Sequence, residues 1–157
     1  MARRGFKLLA VLIPASLAVA LAAAPPNFSG AWKVNLAKSD FGPRPAPNSA
    51  SSKIDHKDPS LKVAGTEVGE QGERTFELNF STDGAETTNQ LGPFTMKSKA
   101  HWEGNVLMVE SKASTENGEL AIKDKWTLSE DGKTLTVIRT LSGPQGEMSM
   151  KVVQDKQ

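Results

Sequence analysis

Cysteine and tyrosine are both absent from the 157-residue sequence. Without cysteine the chain has no disulfide, no thiolate metal ligand, no cysteine nucleophile and no N-terminal cysteine to carry a lipid. Histidine is nearly absent: His56 lies in a charged segment and His101 stands alone. Neither has a second histidine or a carboxylate at metal-ligand spacing, so no zinc or iron site is expected. A Gly-x-Ser-x-Gly elbow is missing, and no glycine-rich phosphate loop opens a helix. No window carries helical periodicity. The chain therefore reads as a non-enzyme without a cofactor.

A charge excess is also missing once the leader is set apart. Arg3, Arg4 and Lys7 form a basic segment, Leu8 to Ala20 is apolar, and Ala20-Leu21-Ala22 supplies a small-x-small cleavage site. Residues 1–22 read as a signal peptide, cut after Ala22 so that Pro25 stays clear of the scissile bond. Arg3-Arg4 faintly echoes a twin-arginine signal, on a very short n-region. The apolar run is too short for a comfortable membrane span. The expected destination is the periplasm or the medium. The leader takes three of the 19 Lys and Arg and none of the 18 Asp and Glu, leaving the remainder at −2. That removes the electrostatic case for nucleic acid or an anionic membrane as partner.

What is present is alternation. In Asn27-Phe28-Ser29-Gly30-Ala31-Trp32-Lys33-Val34, Phe28, Gly30, Trp32 and Val34 share one parity and hence one face of a strand. A glycine two residues before the tryptophan lets another backbone approach while the indole fills the end of a core. The alternate prolines of Pro43-Arg44-Pro45-Ala46-Pro47 then open an extended Pro/Ser-rich linker over 43–52. Beyond it, turn signals recur at Asp58-Pro59, Gly69-Gly72, Asp83-Gly84, Gly92-Pro93, Gly104-Asn105, Asn117-Gly118, Asp131-Gly132 and Gly143-Gly146. Segments of about seven to ten residues rich in Val, Ile, Thr, Phe and Trp lie between them. This spacing predicts one all-β domain over 23–157, a meander of ten strands. Closure removes both sheet edges, so an antiparallel up-and-down barrel of eight to ten strands is favoured over a sandwich.

The hairpin turns also predict the register. Asp131-Gly132 sets Leu128 against Leu135, Trp126 against Val137, Asp124 against Arg139 and Ile122 against Leu141. Asn117-Gly118 sets Leu107 against Leu128, Val109 against Trp126, Ser111 against Asp124 and Ala113 against Ile122. Gly104-Asn105 sets Trp102 against Leu107, Ala100 against Val109, Ser98 against Ser111 and Met96 against Ala113. One apolar face thus crosses four strands without a slip, and a one-residue error would turn a strand inside out. Lys97, Lys99, His101, Glu103, Lys123, Lys125, Thr134 and Thr136 form the solvated face. Among the inward rows one is polar: Thr87, Ser98, Ser111, Asp124, Arg139. A buried carboxylate opposite a guanidinium is expected to pair. The row is either an internal network that fixes the register or a polar handle for a ligand lying against Trp102, Trp126 and Val137.

Phe28-Ser29-Gly30-Ala31-Trp32-Lys33 resembles the opening F-x-G-x-W-K of the calycin superfamily, lipocalins and especially intracellular fatty-acid-binding proteins. The stretch from Phe28 to Gly42, with Trp126 to Thr136, is similar to small exported bacterial proteins of unassigned function. The calycin resemblance implies a barrel holding a small apolar or amphipathic molecule, and a basic side chain from a late strand over Trp32. Arg139, Lys151 and Lys156 are the possible equivalents. The chain departs from the fatty-acid-binding pattern in two places. Proline-rich sequence stands where a helical lid belongs, and the last strand, Met148 to Val153, lacks the Arg-x-Tyr of the fatty-acid site. The other reading is a non-catalytic structural or interaction protein with a filled barrel core.

Overall fold

The computed structural model describes residues 23–157, and the leader expected at 1–22 lies outside the described residues. Ten strands follow in order: β1 (Gly30–Val34), β2 (Ser49–Lys57), β3 (Ser60–Gly69), β4 (Gly72–Ser81), β5 (Thr87–Leu91), β6 (Phe94–Glu103), β7 (Val106–Thr115), β8 (Gly118–Leu128), β9 (Thr134–Gly143) and β10 (Gly146–Lys156). A single 3-10 turn, Leu36–Lys38, follows β1, where the Asn35 side chain accepts from the Lys38 N–H. The linker stretch is shorter than its composition suggests, because β2 begins at Ser49.

All ten strands belong to one antiparallel sheet in the order β4-β3-β2-β1-β10-β9-β8-β7-β6-β5. Each strand pairs with its chain neighbour except β4 with β5, and β1 pairs with β10. The meander therefore closes into a barrel with one unzipped seam. Asn89 of β5 bridges that seam as a peptide group would. Its Oδ1 accepts the Asn79 N–H of β4 at 2.7 Å, and its Nδ2 donates to the Asn79 carbonyl at 2.9 Å. Asn89 is buried and lies on the inward parity with Thr87, so its carboxamide satisfies backbone groups that a missing ladder would leave open.

Two of the three predicted hairpin registers hold in every pair. Gly104-Asn105 joins Trp102 to Leu107 and Ser98 to Ser111. Asp131-Gly132 joins Leu128 to Leu135 and Asp124 to Arg139. The third is offset by two residues. β7 and β8 close on Thr115 and Gly118, so the loop is Glu116-Asn117 and not Asn117-Gly118. Among the described residues no non-glycine has a positive φ, whereas Gly118 has φ +116°. The turn therefore places its glycine at the last position, where a type I turn prefers it, and leaves Asn117 in an ordinary conformation. Thr115 Oγ1 closes it on the Gly118 carbonyl at 2.7 Å. A two-residue offset preserves parity, so every predicted inward side chain of β8 still points inward. Its cross-strand partner changes: Leu107 faces Trp126, Val109 faces Asp124 and Ser111 faces Ile122.

The core is concentrated at one end. Phe28, Trp32, Ile54, Leu61, Val63, Phe80, Leu107, Trp126, Leu135 and Val137 pack together there, with Phe76, Leu78, Trp102 and Leu128 against them. That end carries the β2–β3, β6–β7 and β8–β9 turns. The other end carries the β3–β4, β5–β6, β7–β8 and β9–β10 turns and forms the mouth.

Candidate ligand site in the barrel interior

The Phe28 motif builds the floor. Phe28 and Trp32 are fully buried, and the Trp32 indole N–H donates to the Phe28 carbonyl at 2.8 Å. The Phe28 ring stacks on His56 and on Trp102, with centroids 5.5 and 5.7 Å apart, and meets Trp126 edge-on. Strands from both sides of the barrel thus touch through one aromatic stack, worth about 0.5–1.5 kcal/mol per pair beyond the buried area. Of the three candidate cations, Lys156 is the one over Trp32, its Nζ 5.4 Å from the ring centroid. The role expected of Gly30 is corrected in kind: it admits a side chain and not a backbone. A Cβ on Gly30 would stand 2.6 Å from Lys156 Cε, and its φ of +144° already favours glycine.

His56 is also corrected. Its charged neighbours suggest a wet strand, yet its parity with Ile54 turns it inward, and it is buried. Its Nδ1 accepts the Phe28 N–H at 3.2 Å, so its Nε2 carries the hydrogen and donates to Asp58 Oδ1 at 2.9 Å. Both ring nitrogens are engaged, which leaves no free base. Asp58 also accepts from Thr82 Oγ1 at 2.6 Å. Burial pushes the Asp58 carboxyl up, but the Thr82 and His56 hydrogen bonds outweigh it and hold the group below the ordinary value. His101 is exposed on the outer face, beside Glu103.

Above the floor stand the polar residues. Asp124 and Arg139 face each other as expected, in a two-pronged pair: Arg139 Nε donates to Oδ1 at 2.7 Å and Nη2 to Oδ2 at 2.6 Å. The Ser98 and Ser111 hydroxyls meet at 2.7 Å, both buried, and Thr87 lies beside Ser98. The expected single polar row does not exist. The offset at Gly118 splits it, so Thr87, Ser98 and Ser111 run into Ile122 and Leu141, while Asp124 and Arg139 run into Val109 and Met150. Ser111 and Asp124 are therefore diagonal neighbours and not directly opposed.

Arg139 has an unusual setting. It lies deep among inward side chains, yet its side chain is 36% exposed while that of Asp124 is 5% exposed. Solvent reaches it. Burial disfavours its charge, and the Asp124 carboxylate more than offsets this, holding the guanidinium above its ordinary value. Other inward side chains of this half, Phe76, Leu78, Ile122 and Leu141, are also half-buried. This half, a less completely packed cup over the floor, still buries Met96, Ser98, Ser111, Ala113 and Met150. Phe76 reaches into it across Gly65, where any Cβ would collide with the ring. The indole Nε1 of Trp126 is buried with no hydrogen-bond partner among the described residues. Trp102 Nε1 faces the Asp58 carboxylate without reaching hydrogen-bond geometry. Sequence reasoning turned Phe76 inward with Leu78 but missed His56 and Asn89, although alternation with Ile54 and Thr87 carried the signal for both.

The outer surface offers grooves. One of about 580 Å³ crosses β6, β7 and β8, and three ion pairs span or border it: Lys97–Glu86, Lys112–Glu119 and Lys123–Glu110. Of its four lysines all but Lys99 are paired, which leaves a solvated face. Among the described residues no three His, Asp or Glu side chains gather closely enough to hold a metal ion.

Comparison with solved structures places this architecture. A "secretary abundant heat soluble" (SAHS) protein of Ramazzottius varieornatus matches with TM-score 0.60 and 15% identity, over 82% of this chain and 94% of that one. The zebrafish ileal bile acid-binding protein, solved with cholic acid, matches with TM-score 0.57 and 18% identity, over 83% and 98%. The fold is the antiparallel barrel that these two proteins share. At such identities the likeness carries the fold alone. No protein-family model and no curated protein matches the sequence. No helix among the described residues is long and apolar enough to cross a membrane.

Proposed function

We propose that the protein is an exported, non-catalytic barrel that holds a small apolar or amphipathic molecule in its open half. The observation that carries this reading is the exposure of Arg139. A guanidinium on the inward parity, reached by water and flanked by half-buried apolar side chains, marks space that a packed core would have filled. Ile122, Leu141, Phe76 and Leu78 supply apolar wall, while Arg139, Thr87 and the Ser98–Ser111 pair supply polar groups at fixed places. Both histidines are engaged or outward, which supports a binder over an enzyme. The cholic acid held by the zebrafish protein supports the same use of the fold.

A structural or interaction role is favoured by a different observation, the aromatic stack that fills the floor. Native mass spectrometry of protein purified from the exported fraction of its own host separates the two. A co-purified small molecule, lost on replacing Ile122 and Leu141 with Asp, supports binding. Bare protein, with no thermal stabilisation by any amphiphile tried, supports the filled barrel. N-terminal sequencing of the same material tests export, for which residue 23 is the expected start; an intact Met1 in soluble cytoplasmic protein refutes it.

A further inference from the structure

Only four charged side chains lie on the inward parity of the open half: Glu67, Arg74, Asp124 and Arg139. They are already matched, Arg74 with Glu67 at 2.8 Å near the rim and Arg139 with Asp124 deeper in. The cup therefore carries two acids, two bases and no charge left over. Its unused capacity is donor capacity. Arg139 spends Nε and one Nη2 hydrogen on Asp124, and Nη1 has no acceptor among the described residues. Trp126 stands two residues from Asp124 on β8, on the same inward parity, with its buried indole N–H unanswered.

We propose that the ligand of this cup is an uncharged amphiphile whose polar end is a hydrogen-bond acceptor, such as an ester or ketone carbonyl, and not a fatty-acid carboxylate. The inference rests on the interior-binding reading above and specifies its chemistry. A carboxylate entering the cup gives up its hydration and finds both guanidiniums already paired, with the Asp124 carboxylate beside Arg139 repelling the newcomer. A carbonyl gives up far less hydration and needs one or two N–H donors, which Arg139 Nη1 and Trp126 Nε1 have to spare. Asp124 thus sets selectivity. It holds the arginine in position and cancels the charge that would recruit an anion.

The test compares methyl laurate with laurate at pH 8, where the acid is ionised, by calorimetry and by quenching of tryptophan fluorescence. At least tenfold tighter binding of the ester is expected. Laurate should strengthen as pH falls through its own pKa and it becomes neutral. Asp124→Asn, which keeps the side chain's shape and frees the arginine's charge, should reverse the order, with laurate gaining tenfold or more. Thermal unfolding shows whether that variant is folded. If it is not, the wild-type comparison and its pH dependence decide alone. Tighter binding of laurate than of its ester by the wild type overturns this inference and leaves interior binding standing. Binding of neither overturns both.

Discussion

Replacing Arg139 with methionine should leave the Asp124 carboxylate 5% exposed with neither of its charge-assisted hydrogen bonds. Breaking a buried pair from one side costs about 3–5 kcal/mol, because the surviving charge keeps its desolvation penalty without its partner. Here water already reaches the arginine, so it can rehydrate the site, and the lower end, about 3 kcal/mol, is expected. For a domain of this size that corresponds to a fall of roughly 10 °C in Tm. Removing both charges with Arg139→Met and Asp124→Leu should return the protein to within about 1 kcal/mol of wild type, since an apolar replacement leaves no orphan. Urea unfolding of the two single variants and the double completes the cycle. A loss below about 1 kcal/mol, or a double variant as unstable as the single, would refute the reasoning.

Three further outcomes are expected. Gly30→Ala should destabilise by about 1–3 kcal/mol, chiefly through the strain of a non-glycine at φ +144°, since the Lys156 Cε it meets is the movable end of a side chain; Lys156→Ala in the same chain should leave most of that loss in place, and full recovery of the unfolding midpoint would contradict this. Asp58 has a folded pKa below its unfolded one, so its stabilisation is present above about pH 4 and is lost as pH falls through the folded value; Asp58→Asn should flatten the acid limb of a urea-midpoint profile from pH 3 to 6, and an unchanged limb would count against the Thr82 and His56 bonds. Asn89→Leu should release both Asn79 backbone groups, so hydrogen exchange at the Asn79 amide should quicken by at least tenfold while amides of β8 and β9 stay protected; uniform protection would show that the seam does not depend on the carboxamide.

Parity was legible from the sequence nearly everywhere, because side chains alternate strictly along a strand and an error of one residue inverts a whole face. Trp102, Trp126, Asp124 and Arg139 needed only the alternation of their own strands to be turned inward. Pairing across strands was less secure. Gly104-Asn105 and Asp131-Gly132 fixed it, while Asn117-Gly118 admitted two turns whose registers differ by two residues. Both turns keep every apolar residue inside, so the hydrophobic pattern cannot choose between them. The choice fell to the backbone conformation of Asn117 and Gly118.

By itself, then, the sequence determined an all-β meander of ten strands, the face each side chain takes, the burial of Phe28 and Trp32, and the Asp124–Arg139 pair. These follow from local alternation and turn chemistry, which act over a few residues. Only the tertiary structure decided which lysine covers Trp32, that His56 closes the floor with Phe28 and Trp102, that Asn89 holds the β4–β5 seam, and that the Arg139 side chain stays partly exposed. Each depends on how ten strands curve around one interior and bring together residues up to 126 positions apart, as with Gly30 and Lys156. No local pattern encodes that distance.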